Sequence, residues 1–186
     1  MSSEGRGLRA DAVRNRRLAL EAATALLAES GAPLTVEAIA TRAGLGAGTV
    51  VRAFGGKGAL IDAAVSGLLG PMVERGRDLL GQGRPLDALR AFLAELIAFQ
   101  SAHHGVNDHL GGLDLPETAR LRAELEAVVR ELVVRARAEG SIRADLDPGL
   151  ATTLIGETAF AVARAASPGL AEAYLAVMID GLRPPV

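Results

Sequence analysis

Apolar residues recur along this chain at three- and four-residue spacing almost from end to end, and no stretch alternates convincingly at period two. The pattern predicts an all-α protein of about nine helices. Residues 1–8 are polar and Gly-bearing and are expected to form a flexible tail. A first helix follows from Ala10 to Ser30, with Leu20, Ala23 and Leu27 on its apolar stripe and Gly31 as its stop. Thr35 is placed to N-cap a short helix over Val36 to Ala43, whose inward face is Val36, Ile39, Ala40 and Ala43. Gly44-Leu45-Gly46 makes a tight turn into a third short helix, Ala47 to Phe54, broken by Gly55-Gly56. A long fourth helix starts near Lys57, is kinked or interrupted at Pro71, and ends at Gly81-Gln82-Gly83. Pro85, Pro116 and Pro148 then sit at the first position of three further helices, as Pro tolerates. A weakly periodic segment from Gly105 to Leu115 holds at most one short helix, and a last helix spans Pro168 to Leu182.

Composition narrows the chemistry. The 186 residues include no Cys, which excludes disulfides, thiolate metal sites and a thiol nucleophile. No apolar run reaches the ~18 residues of a membrane span, and no signal-peptide pattern opens the chain, so a cytoplasmic location is expected. The net charge of −2 hides an asymmetry: residues 1–60 carry eight basic and five acidic residues, and the remainder is acidic. A basic front end suits a polyanionic partner there and nowhere else.

Residues 35–54 supply the sharpest signal. Two short helices joined by Gly44-Leu45-Gly46 have the length and turn chemistry of a helix-turn-helix. On a helical wheel Val50 and Phe54 share one face of the third helix and belong inside. Ala47, Gly48, Thr49, Val51 and Arg52 are then offered outward. Their small size allows close approach to a groove, and Arg52 brings donors suited to a guanine edge or a phosphate. Lys57, the only lysine, falls in the first turn of the fourth helix, where the macrodipole disfavours a cation unless an anion sits there. Thr35 is explained by capping, and a capping Thr can also touch a phosphate.

The segment from Arg9 to Val65 resembles the N-terminal DNA-binding domain of the TetR family of bacterial transcriptional regulators. The matching pieces are Arg14-Asn15-Arg16, then Ala22-Ala23 and Leu26-Leu27-Ala28-Glu29-Ser30-Gly31. They continue with Leu34-Thr35-Val36-Glu37-Ala38-Ile39-Ala40 and Ala43-Gly44-Leu45-Gly46-Ala47-Gly48-Thr49-Val50, and close with Phe54-Gly55-Gly56-Lys57-Gly58-Ala59-Leu60. Order and spacing hold without a gap. The chain departs from the family where Val51 replaces a usual aromatic, Ala53 a frequent His, and Gly46 a common capping residue. The resemblance implies three parts: a tail (1–8), a helix-turn-helix domain (9–56) and a larger helical effector-binding and dimerisation domain (57–186). It also implies a homodimer on a palindromic DNA operator, released by a small-molecule effector.

Residues of the C-terminal part bear on dimer and ligand. The helix from Pro148 to Ala166 has only Glu157 and Arg164 as charges and is apolar almost all round, so it needs cover on most sides. Paired with the last helix it suits a four-helix seam between two copies, with Leu154, Gly156, Phe160, Tyr174, Leu175, Met178 and Leu182 as interface candidates. The alternative is a central core helix of a monomer. Candidate walls for a ligand pocket are Met72, Phe92, Leu96, Phe99, His103, Leu125, Val129 and Phe160, residue types that equally suit plain core. His104 and His109 are five apart, not the i, i+4 of a helical metal pair, so no metal is expected. No cofactor and no catalytic constellation is expected either: there is no phosphate loop, no H-E-x-x-H and no nucleophile elbow. The leading reading is therefore a DNA-binding repressor, not an enzyme. The alternative is a helical interaction module of the same fold that has lost DNA binding.

Overall fold

Helical spacing of Ala and Leu becomes eight α-helices among the residues that the structure, a computed structural model, describes: 3–29, 33–103, 113–165, 167 and 169–185. They are α1 (Ser3–Ala28), α2 (Val36–Ala43), α3 (Ala47–Phe54), α4 (Lys57–Leu80), α5 (Pro85–Ala102), α6 (Pro116–Ala138), α7 (Pro148–Ala165) and α8 (Leu170–Leu182). The all-α class stands, with eight helices described where about nine were expected. The extra short helix was expected within 105–115, most of which lies outside the described residues, as do the Gly31 stop and the pair His104 and His109.

The amino-terminal end corrects an expectation. Helix α1 begins at Ser3, so residues 3–8 are helical rather than a tail. Gly5 and Gly7 each disfavour helix by about 1 kcal/mol. Extending an existing helix nevertheless gains one hydrogen bond per residue fixed, and the Ala- and Arg-rich stretch behind them provides that helix. Pro71 likewise does not end α4, which runs through it unbroken.

The chain divides into two compact units, residues 1–68 with 105–119, and 69–104 with 120–186. The division falls inside α4 rather than at the expected 56/57. The physical reason is that Leu60, Ile61, Ala64 and Val65 are buried, as the core-forming residues of α1, α2 and α3 are. Ala19, Ala23, Leu27, Leu34, Ile39 and Val50 complete the first core.

The segment before α6 belongs to the first unit for a reason visible at Asp62. Leu115, which precedes α6, has no side-chain oxygen with which to cap it. Asp62 supplies the cap from α4. It accepts from the backbone N–H of Glu117 (3.1 Å) and Thr118 (2.8 Å) and from the Thr118 hydroxyl (2.7 Å). Burial pushes its carboxyl up, but the Thr118 hydroxyl and the two N–H groups outweigh that and hold it below the ordinary aspartate value. The stabilisation is therefore complete above the ordinary value and is lost as pH falls through the lower folded value. Asp62→Ala is expected to cost about 1 kcal/mol, as removal of an N-cap does. Urea unfolding from neutral pH downward checks this: the wild-type advantage over Asp62→Ala shrinks in acid, and a constant difference would contradict it.

In the second unit α4, α5 and α6 meet at Gly76. A Cβ there would stand 2.8 Å from Val128 Cγ1 and 2.9 Å from the Phe92 ring. Phe92 is fully buried on this glycine. Helices α7 and α8 are joined by Tyr174, whose hydroxyl lies 2.8 Å from Thr158 Oγ1.

Candidate nucleic-acid interface

The helix-turn-helix is built from local chemistry. Thr35 is extended (φ −110°, ψ 159°), and its hydroxyl accepts from the Ala38 N–H at 3.1 Å, starting α2. Gly44 is left-handed (φ 66°) and ends α2, with the Leu45 N–H returning to the Ala40 carbonyl at 2.9 Å. A side chain at Gly44 would be strained in that conformation. Helix α3 starts at Gly46, which offers its carbonyl to Thr49 and Val50 but no side-chain cap.

The two faces of α3 separate as its periodicity predicts. Val50 and Phe54 are buried, and Gly48, Val51 and Arg52 are exposed. Arg52 lies back along its own helix: Nη2 is 3.5 Å from Thr49 Oγ1, and Nη1 would be 3.6 Å from a Cβ at Gly48. The guanidinium thus rests on the outward face over a position without a side chain. Thr35 and Lys57 are exposed, and Ala47 and Thr49 half-exposed. Lys57 stands in a first turn that contains no acid.

Arg16 is a residue that holds α3 in place and that spacing alone did not single out. From α1 it donates to the Ala53 carbonyl (2.6 Å) and stacks on the Phe54 ring (4.0 Å to the centroid). Ala53 is in the last turn of α3, where carbonyls lack helical partners and the dipole end is negative. One cation thus satisfies that carbonyl and fixes the end of the outward-facing helix to α1. The only advance signal was the want of an acceptor's partner at the end of α3. Asp62 was missed for the same reason: its partners are 55 and 56 residues away.

The C-terminal candidates separate into two kinds. Phe92, Leu96, Leu125 and Val129 are buried in the core of the second unit, whereas Met72, Phe99, His103 and Phe160 are half-buried. The His103 ring stacks on Phe99, with centroids 4.5 Å apart. A surface depression of about 360 Å³ lies elsewhere, lined by Arg84, Leu86, Asp87, Ser141, Arg183 and Pro184. Of the interface candidates, Leu154 and Gly156 are exposed, and Phe160, Tyr174 and Met178 are half-buried. Leu175 and Leu182 are corrections: both are buried within the chain, because α8 turns them onto its own core. Helix α7 is not covered on most sides either; Ala151, Ile155, Ala159 and Ala163 face inward, and Leu150 and Leu154 face solvent.

Residues 19–64 match the family model described as bacterial regulatory proteins of the tetR family. Residues 84–184 match the one described as the C-terminal domain of SbtR-like transcriptional regulators. The chain is 31% identical over 186 residues to the HTH-type transcriptional repressor KstR2 of Rhodococcus jostii (strain RHA1), covering 89% of this chain and 90% of that protein. It is also similar to the crystal structure of a TetR transcription regulatory protein from Mycobacterium vanbaalenii. That match has 35% identity over 95% of this chain and 99% of the other, with a TM-score of 0.63. The ketosteroid transcriptional regulator KstR2 of Mycobacterium tuberculosis matches at 25% identity, over 91% and 95% of the two chains, with a TM-score of 0.69.

Proposed function

The chain belongs to the TetR family of bacterial transcriptional regulators, and on that footing we propose that it represses transcription as a homodimer on a palindromic operator and releases it on binding a small apolar effector. The observation that carries the DNA-binding part is the outward face of α3, where Arg52 lies over Gly48 and Thr49 while Val50 and Phe54 hold the helix from behind. A helix so mounted presents a donor-bearing side chain and a close backbone to a major groove. Thr35 and Lys57, at the starts of α2 and α4, supply phosphate contacts. Val51 has no hydrogen-bonding group and packs on a thymine methyl.

Support for the dimer comes from α7 and α8. Leu150, Leu154, Leu170 and Val177 are 64%, 55%, 37% and 74% exposed. An apolar surface of this kind on two antiparallel-capable helices suits a four-helix seam. Two-fold symmetry in turn matches half-sites about one DNA turn apart. For the effector, Met72, Phe99, His103 and Phe160 are the half-buried candidates, and the His103 ring stacks on Phe99. The description of one relative as a ketosteroid regulator favours a hydrophobic ligand class.

Selection of bound sites from random duplex DNA tests this reading. A palindromic winner whose affinity falls steeply with salt is expected; no enrichment at low salt would sink it and favour a fold that has lost DNA binding. On the winning site, Lys57→Ala is expected to weaken binding on every sequence and to flatten the salt slope by about one unit. An unaltered slope would remove Lys57 from the phosphate contacts.

A further inference from the structure

We propose that the N-terminal turns of α1 form a second DNA-contacting element, an arginine stripe that lies on the duplex beside the half-site read by α3. The inference rests on the operator-binding reading above and adds a contact to it. Helix α1 starts at Ser3, and among its residues whose exposure is described the first to be buried is Ala19. Residues 9–14, 16 and 17 are exposed. These turns continue the packed part of α1 outward as an exposed helical surface.

The charge on these turns is arranged, not scattered. At 100° per residue Arg9, Val13, Arg16 and Arg17 fall within an arc of about 100°. The acidic Asp11 falls on the opposite side. Arg14, off the stripe, is paired with Asp11 at 3.3 Å, and Arg17 with Glu21 at 2.7 Å. Arg9 forms no ion pair among the described residues.

The stripe is continuous with the interface already described. Arg16 belongs to it and is the residue bonded to the last turn of α3. Arg9 lies seven residues further out, roughly 10 Å along the helix axis. A helix seated in a major groove has a phosphate strand on either side, so a basic stripe that starts at its end meets the backbone and the adjoining groove. Duplex DNA is the occupant that the charge fits; a second copy of the same stripe would repel it. The contact also offsets two positions on α3, Val51 and Ala53, whose side chains offer a phosphate no hydrogen bond.

The test compares two duplexes that carry the selected site. One stops at its outermost recognised base pair; the other has one further helical turn, about 10 base pairs, on each side. The full chain is expected to bind the longer duplex more tightly and with a steeper salt dependence. Arg9→Ala is expected to leave affinity for the short duplex unchanged and to reduce the salt slope on the long one by about one unit per half-site. Arg9 is exposed, so the substitution leaves the fold intact. Equal binding of both duplexes by the wild-type chain, or the same slope for Arg9→Ala on the long one, would overturn the inference while leaving operator binding standing. Failure to bind any duplex would remove the operator reading, and the inference with it.

Discussion

Arg52→Ala is expected to weaken binding to the selected operator by about 1–3 kcal/mol and to relax the preference at one base position in each half-site. The magnitude follows from what the side chain offers. A guanidinium places two parallel donors against a guanine edge, and a wrong base leaves them unmatched in a desolvated groove. In the free chain Arg52 lies over Gly48 and beside Thr49, on the outward face of α3. Arg52→Lys is the informative companion. It keeps the charge but loses the planar fork, so a base-reading role predicts that discrimination is lost although salt dependence is retained. Selection repeated with both variants checks this. If the alanine variant recovers the same consensus with the same sharpness, Arg52 touches only the backbone.

Phe92→Ala is expected to destabilise the second unit by about 3–5 kcal/mol, the usual range for deleting a buried aromatic ring. The ring is fully buried and lies against the one position on α4 that leaves room for it, Gly76. Val128 of α6 closes the same space. Three helices therefore share this contact, and each is held by its own packing, so the gap cannot close without moving a backbone. A loss of this size is a large part of a net stability of about 5–15 kcal/mol. Urea unfolding of the variant measures it. A loss below about 1 kcal/mol would show that the helices collapse into the space.

Much of the helix-turn-helix was legible in the sequence because it is made by contacts between near neighbours. The Thr35 cap spans three residues, the Gly44 turn needs only a left-handed residue, and Val50 and Phe54 are one turn apart. Each signal is local, and three in succession leave one arrangement of two short helices. Arg16 and Asp62 were not legible in this way. Their partners are in other helices, and an Arg or Asp on a helix looks the same in sequence whether it faces water or a distant carbonyl or N–H.

Periodicity and capping act within a few residues, so the all-α class, the helix-turn-helix and the outward placement of Gly48, Val51 and Arg52 could be read from the chain alone. Which apolar faces are covered depends on packing between distant helices and could not be read that way. Helix α7 is apolar on nearly every side, so its pattern could not choose a face; packing buried Ile155 and Ala159 and left Leu150 and Leu154 in water. On α8 packing likewise took Leu175 and Leu182 into the core and left Val177 outside. The amino-terminal boundary was decided the same way. Local propensity at Gly5 and Gly7 argued for a tail, but helix growth from the segment packed at Ala19, Ala23 and Leu27 carried α1 back to Ser3. Propensity is a small local free energy, and cooperative extension from a packed segment exceeds it.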